Sequence, residues 1–436
     1  MALVTDTALM TDRYELTMID AALRSGTAFR PSVFEVFGRR LPGARRYGVV
    51  AGTGRFLERL ADFRFRDPEL RFLRENRVVS AELIDWLADY RFAGDIRGYA
   101  EGELYFPGSP LLVIEGSFAE AVVLETVALS VLNYDSAVAN AATRMARAAK
   151  GRPLAEMGSR RANEEAAIAA ARAAYIAGFS ATSNLAAGAR WGIPTMGTAA
   201  HSFTLLHDSE AEAFQAQIDV LGVGTTLLVD TYDIEQGIRT AIEVAGTGLG
   251  GIRLDSGDLA EVAGEARALL DSLGATETRI TVTSDLDEYA IAGLQASPVD
   301  AYGVGTSVVT GSGAPAAGMV YKLVARQGDD GWVGVAKRSE DKASKGGEKV
   351  AVRTLKDGVA VEETVLLGDG AAPAEAIARG RSLQVQLVTG GEIDDRWSGS
   401  AGVAAARERH AASVEELPAD AHRLARGEPA IPTVFR

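Results

Sequence analysis

"GIRLDSGDLAEVAGEARALLDSLGATETRITVTSD", residues 251–285, decides the fold. It begins with a short apolar run, 251–255, and ends with another, 279–285. Between them "LAEVAGEARALLDSLG" (259–274) repeats apolar residues at helical spacing and stops on glycine, so it predicts a helix. Two strands joined through a helix lie parallel, because a hairpin needs only a few connecting residues and a parallel return needs a crossover of this length.

The same alternation recurs on both sides. Upstream stand "PLAEM" (153–157), "FSATS" (179–183), "IPTMGT" (193–198) and "TTLLVD" (225–230), and downstream "DAYGVGT" (300–306). A further helix, "NEEAAIAAARAAYIAG" (163–178), separates the first two. Seven short runs in this rhythm favour an irregular (β/α) barrel over an open doubly wound sheet. The flanks read differently. "SAELIDWLADY" (80–90) predicts a capped amphipathic helix, 96–118 predicts β segments broken by Gly and Pro, and 118–151 predicts one long helix or two. After Val320 the pattern alternates again, with Asp357-Gly358 as a hairpin turn, and the last forty residues read as helical and polar. The expected architecture is α/β in three parts. An N-terminal α+β domain covers 1–125, and an irregular α/β barrel with the active site covers 126–325. A C-terminal extension (326–436), antiparallel β-hairpin and helix, packs on the first.

Composition narrows the function. With 45 basic and 59 acidic residues the net charge is −14, the wrong sign for a nucleic-acid binder, which gains affinity by neutralising phosphates. Small phosphorylated substrates remain open, since they need only a local cluster of cations. Zero cysteines exclude disulfides, thiolate catalysis and Cys-ligated zinc. The opening "MALVTDTALMTDRYELTM" has early aspartates and no basic start, and no run of eighteen apolar residues escapes a charge, so neither a secretory signal nor a membrane span is expected. A cytoplasmic protein is the plain expectation.

In parallel βα folds the site lies at the carboxyl ends of the strands. The first run leads to Arg160 and Arg161 at a glycine turn, the second to Thr182, Ser183 and Asn184, and the third to Thr198 and His201. The fourth ends at Asp230, followed by Tyr232 and Asp233; the fifth presents Arg253 and Asp255; the sixth gives Ser284, Asp285 and Asp287; the seventh gives Gly303 and Gly305. Glycine N–H groups face anions, arginines grip phosphate or carboxylate in pairs of hydrogen bonds, and aspartates hold sugar hydroxyls or Mg²⁺. That inventory suits a phosphorylated sugar. Singly, each residue has a plainer reading: Asp230 and Asp285 as helix caps, Arg160-Arg161 as a surface pair, His201 as a hydrogen-bonded structural histidine. Seven polar strand ends together favour the site. Lys337, Lys342, Lys345 and Lys349 form either a loop that closes over phosphates or a solvated hairpin.

"TDRYELTM" (11–18), "FEVFGRRLPGARRYGVVAGTGRFLERL" (34–60), "GSRRANEEAA" (158–167), "GTAAHSF" (197–203), "IRLDSGDL" (252–259), "VTSDLDEYAI" (282–291) and "DAYGVGTSVVTG" (300–311) together resemble the nicotinate phosphoribosyltransferase family. The resemblance runs in order over some four-fifths of the chain. It implies an α/β N-terminal domain joined to an irregular barrel. It also implies a reaction: nicotinate and phosphoribosyl pyrophosphate (PRPP) give nicotinate mononucleotide and pyrophosphate in NAD salvage, with Mg²⁺ present and ATP hydrolysis coupled. By the same resemblance His201 is the residue phosphorylated by ATP, with Asp230, by its place in "LLVDTYD", orienting the ring's other nitrogen. Arg253 would contact a substrate anion, Asp255 ribose hydroxyls, and Gly303 and Gly305 the 5′-phosphate. Arg160, Arg161, Ser284 and Asp285 complete the substrate-binding set. Tyr14 resembles the tyrosine that reaches the pyridine from a neighbouring subunit, so a homodimer with the site at its interface is expected. Met157 stands where the family carries an aromatic, and methionine packs through sulfur without π-stacking. Ser183 stands where the related nicotinamide enzyme carries an acid, which suits nicotinate.

Nicotinamide phosphoribosyltransferase is the nearest rival. A non-catalytic PRPP-binding sensor should lose His201, Asp230 or Asp255, and all three are present. A quinolinate enzyme would need more cations and lacks the histidine motif. A barrel aldolase would need a strand-end lysine, and none occurs between Lys150 and Lys322.

Overall fold

Residues 251–285 fold as the pattern predicts: strand Gly251–Leu254, helix Leu259–Ser272, strand Arg279–Val282. This computed structural model describes residues 7–337, 345–368, 377–378 and 380–436. The chain clusters into two units, one of Ala141–Gly313 and one of Met1–Asn140 with Ala314–Arg436. The sequence reading put its boundaries at 125/126 and 325/326.

The 141–313 unit holds six parallel strands: β1 (Leu154–Glu156), β2 (Ala181–Thr182), β3 (Thr226–Leu228), β4 (Gly251–Leu254), β5 (Arg279–Val282) and β6 (Ala301–Val304). They stand in the order β2-β1-β6-β5-β4-β3, every neighbour parallel. Sequence neighbours are spatial neighbours and β1 sits beside β6, the order of a barrel opened between β2 and β3. The sheet is therefore a half-barrel. The run 193–198, expected as a strand, contributes one parallel bridge, Thr182 to Thr195. Pro194 has no N–H to give a ladder, so the segment touches the edge only through Pro194 O and Met196 N, both bonded to Thr182.

Ile252, Leu254, Ile280, Val282, Tyr302 and Val304 are buried. Each such side chain contributes roughly 1.5–3 kcal/mol as an upper estimate. Three aspartates start the helices of this layer: Asp233 accepts from Gln236 N, Asp258 from Ala260 N and Glu261 N, and Asp287 from Tyr289 N and Ala290 N. Asp230 and Asp285 cap nothing, so the plainer reading fails for both.

The other unit is built on a seven-stranded antiparallel sheet. Its order is Gly331–Gly334, Met319–Gly328, Pro31–Gly38, Leu112–Ser117, Asp95–Tyr99, Gln384–Thr389 and Glu392–Ile393. Ser80 caps helix Ala81–Ala88 by accepting from Leu83 N. The 118–151 stretch forms two helices, Phe118–Val122 and Glu125–Ala149. Phe118–Ala149 is the one described segment long and apolar enough to cross a membrane, and 67% of its most apolar window is buried inside the protein. Strands Lys349–Lys356 and Val359–Leu367 pair around Asp357 (φ 53°) and Gly358 (φ 80°), the positive-φ pair that a tight hairpin demands. Helix Gly399–Glu415 follows.

A buried ionic network lies beneath these strands. Arg353 bonds Glu103 (2.6 Å) and Glu363 (2.9 Å), and Arg381 bonds Glu103 (2.6 Å) and Glu416 (2.8 Å). Burial alone would raise the Glu103 carboxyl, but Arg353 and Arg381 hold it down at about 2.

Candidate active site

All six strands point the same way, so their carboxyl ends share one edge. There a cavity of about 300 Å³ opens. Met157, Arg160 and Arg161 enter it after β1, Arg253 and Asp255 from β4, Thr283, Ser284 and Asp285 after β5, and Gly303, Gly305 and Thr306 from β6.

Glu156, the last residue of β1, builds the first turn. It is buried, and its carboxylate accepts from Gly158 N and, at 2.6 Å, from the Thr182 hydroxyl. Burial pushes this carboxyl upward, against those two hydrogen bonds. The ends of β1 and β2 are thereby tied together, and the turn that launches Arg160 and Arg161 is fixed. Asn184 extends the tie, donating to Ser159 Oγ at 3.0 Å. Glycine is required where the turn meets β6. A Cβ on Gly303 would lie 2.6 Å from Thr283 Cγ2 and 2.7 Å from Met157 Sδ; one on Gly158 would lie 2.1 Å from Val309 Cγ1. Ser284 has φ 104°, a region that side chains rarely adopt, and its carbonyl accepts from Leu286 N at 2.9 Å. Strain of this kind costs roughly 1–3 kcal/mol and gathers at functional sites.

Charge is arranged around two incomplete groups. Arg253 Nε is buried and meets no protein acceptor. Burial lowers this guanidinium from its usual value, Asp255 and Asp230 pull it back up, and Arg160 adds to the lowering. An anion would complete it. Asp230 is buried, with Oδ2 accepting from Asp255 N (2.7 Å) and Ser256 Oγ (2.8 Å), while Oδ1 has no partner. That free oxygen faces His201, 3.9 Å from Nε2, and Asp255 Oδ2 stands 3.8 Å from the same nitrogen. The ring's hydrogen bond lies on its other side, between Nδ1 and Thr231 Oγ1 at 3.1 Å. His201 begins a short helix, His201–Leu206, and its side chain is 41% exposed, so a large solute can reach it.

The sequence model described as nicotinate phosphoribosyltransferase (NAPRTase) N-terminal domain matches residues 9–133. A nicotinate phosphoribosyltransferase of Mycobacterium tuberculosis, pncB1, is 55% identical over 434 residues, 98% of this chain and 94% of that protein. This chain belongs to the nicotinate phosphoribosyltransferase family. The Bacillus subtilis nicotinate phosphoribosyltransferase is 38% identical over 359 residues, 80% of this chain and 73% of that one. Among solved structures, human nicotinic acid phosphoribosyltransferase superposes with a TM-score of 0.82 at 27% identity, over 98% of this chain and 97% of that one. A nicotinate-nucleotide pyrophosphorylase from Pyrococcus furiosus, 23% identical, shares the fold at a TM-score of 0.76 over 95% and 97% of the two chains.

Within this nicotinate phosphoribosyltransferase-family chain, the cavity gathers Met157, Arg160, Arg161, Arg253, Asp255, Ser284, Asp285, Gly303 and Gly305, all singled out from sequence. His201 and Asp230 join through Asp255. Ser183 sits exposed at the end of β2, its N–H bonded to Glu156 O at 2.8 Å, outside the cavity lining. Tyr14 belongs to the other unit, half-exposed on helix Arg13–Ser25, where burial and Glu125 raise its hydroxyl to about 12. Of the loop lysines, Lys349 is buried in an ion pair with Glu35 (2.9 Å), Lys345 lies over the Phe435 ring, and Lys342 falls outside the described residues. Buried pairing removes Lys349 from any phosphate-closing loop. Sequence reading missed Glu156, Thr231, Thr283 and Ser256. An acid inside the apolar run "PLAEM" was the one legible signal among them.

Proposed function

We propose that this chain makes nicotinate mononucleotide and pyrophosphate from nicotinate and PRPP, coupled to ATP hydrolysis through phosphorylation of His201. The observation that carries the reading is the convergence of three arginines, two aspartates and two glycines on one cavity at the strand ends. In this reading the N–H groups around Gly303 and Gly305 receive the 5′-phosphate, and Asp255 the ribose hydroxyls. Arg253, whose Nε lacks a protein partner, takes a substrate anion. The C1–pyrophosphate bond loosens before the pyridine nitrogen attacks, giving an oxocarbenium-like transition state whose leaving charge Arg160 and Arg161 absorb. The pyridine nitrogen carries no proton, so no general base is required. Ser183 leaves the ring's carboxylate unopposed, which favours nicotinate over nicotinamide.

Among the described residues no group of three or more acids or histidines forms a metal cage. Mg²⁺ entering with PRPP needs only one or two carboxylates beside phosphate oxygens, and Asp255 and Asp285 line the cavity. Bound there it would offset charge on the pyrophosphate. Exposed Leu185, Leu205, Leu206 and Val220 on this unit support a second copy covering it, with Tyr14 supplied across the interface. A cytoplasmic location fits the soluble substrates.

The test offers PRPP, Mg²⁺ and ATP with nicotinate, nicotinamide or quinolinate in separate tubes and follows product by mass. Product from nicotinate alone, with ATP stimulation lost in His201→Ala, is expected. Product from nicotinamide overturns the specificity, and no product from any acceptor favours a PRPP-binding sensor.

A further inference from the structure

Different groups approach the two nitrogens of His201. Thr231 Oγ1 lies 3.1 Å from Nδ1, whereas Asp230 Oδ1 and Asp255 Oδ2 lie 3.9 and 3.8 Å from Nε2. A carboxylate only accepts, so the nitrogen facing two of them is the one that carries the ring proton. Nδ1 then keeps its lone pair, and the hydroxyl beside it donates. Asp230 cannot swing to the other side, because Oδ2 is held by Asp255 N and Ser256 Oγ at 2.7 and 2.8 Å. Thr231 follows Asp230 in the chain, so one backbone segment after β3 sets both contacts.

We infer that Thr231 is a positioning residue for His201, holding Nδ1 unprotonated as the nucleophilic nitrogen and turned away from the carboxylates. The inference rests on the reading of His201 as phosphoryl acceptor. In that step the Nδ1 lone pair forms the N–P bond while the bond from the γ-phosphorus to its bridging oxygen breaks. ADP leaves with that electron pair, Nε2 keeps its proton, and the ring's new positive charge faces Asp230 and Asp255. The Thr231 O–H, displaced from Nδ1, then donates to a phosphoryl oxygen. Serine at this position keeps the hydroxyl; valine keeps the shape and removes it.

The experiment compares full-length wild type, Thr231→Val and Thr231→Ser. Imidazole ¹⁵N resonances, assigned by the loss of one set in His201→Asn, report the tautomer without any substrate. Phosphorylation of His201 by γ-labelled ATP reports the step. Wild type should show the Nε2–H tautomer. Thr231→Val should show a displaced Nδ1 resonance, its hydrogen bond lost, and phosphorylation slower by about tenfold or more, the scale of one lost hydrogen bond. Thr231→Ser should restore both readouts to within about threefold. An Nδ1–H tautomer in wild type, or normal phosphorylation of Thr231→Val, overturns the proposal alone. A serine variant as impaired as valine reassigns Thr231 to packing and overturns it as well. A wild type that takes no phosphoryl group from ATP overturns it together with the reading beneath it.

Discussion

One methyl group at Gly303 should be enough to disturb the cavity. Its Cβ would lie 2.6 Å from Thr283 Cγ2 and 2.7 Å from Met157 Sδ. Thr283 in turn donates to Asp255, and Met157 leads the arginine turn, so both neighbours would move groups that line the site. Overpacking of this kind costs roughly 1–3 kcal/mol. Gly303→Ala is expected to melt a few degrees lower than wild type and to raise the KM for PRPP more than that for nicotinate. A KM for PRPP left unchanged would show that the 5′-phosphate sits elsewhere. Residues of this kind were legible in the sequence because glycines, arginines and aspartates at the ends of apolar runs are out of character with packing. Thr231 and Thr283 were not. A hydroxyl has the same spacing signature whether it faces water, a backbone carbonyl or an imidazole ring, and only coordinates tell these apart.

Between strands, the decisive group is Glu156. It joins the end of β1 to the end of β2 by accepting from Gly158 N and the Thr182 hydroxyl, and the turn carrying Arg160 and Arg161 hangs from that junction. Glu156→Ala leaves two buried donors unmet, at a cost of roughly 1–3 kcal/mol each. Activity should fall at least about tenfold through the KM for PRPP, whereas Glu156→Gln, which still offers an oxygen to Gly158, should stay within about threefold. Steady-state kinetics on both variants separates a junction from a catalytic acid, since loss of an acid would make the two equally poor. The same scale shows where pattern reading stops. Strands β4 and β5 with the helix between them were plain from periodicity, because apolar runs and a capped helix announce themselves. The 193–198 run imitates a strand in composition, yet Pro194 withholds an N–H and leaves only a bridge at Thr195. Lys349 imitates a solvated loop cation, yet it pairs with Glu35, a partner 314 residues away.

At the scale of the molecule, acid stability should be governed by the ionic network in the unit that combines both ends of the chain. Glu103 titrates at about 2 in the folded protein against an ordinary value of 4.5. Unfolded chain therefore binds the proton more tightly than folded chain does, and stability from this group is complete above about 4.5 and drains away as pH falls through about 2. Glu103→Gln removes the carboxylate that Arg353 and Arg381 share, leaving Glu363 to the first and Glu416 to the second. Losing one charge-assisted hydrogen-bond partner from a network that keeps its others costs roughly 1.5–3 kcal/mol at neutral pH. Denaturant titrations between pH 6 and 2 should show a lower, flatter stability curve for the variant, and parallel curves would deny Glu103 its role. The half-barrel has a different kind of consequence. Its ladder stops at β2 and β3 apart from the bridge between Thr182 and Thr195, and the segment that carries His201 comes between those two strands in the chain. In a closed ring of strands, any movement of a connecting segment would tear ladder bonds. Here the interval acts as an expansion joint: residues 197–200, which belong to no strand or helix, can shift while the sheet keeps its register. Amide hydrogen exchange should register this as fast exchange across 197–200 beside slow exchange along β5, which is paired on both sides. The fold has thus put its mechanical slack immediately before His201, at the mouth of the half-barrel.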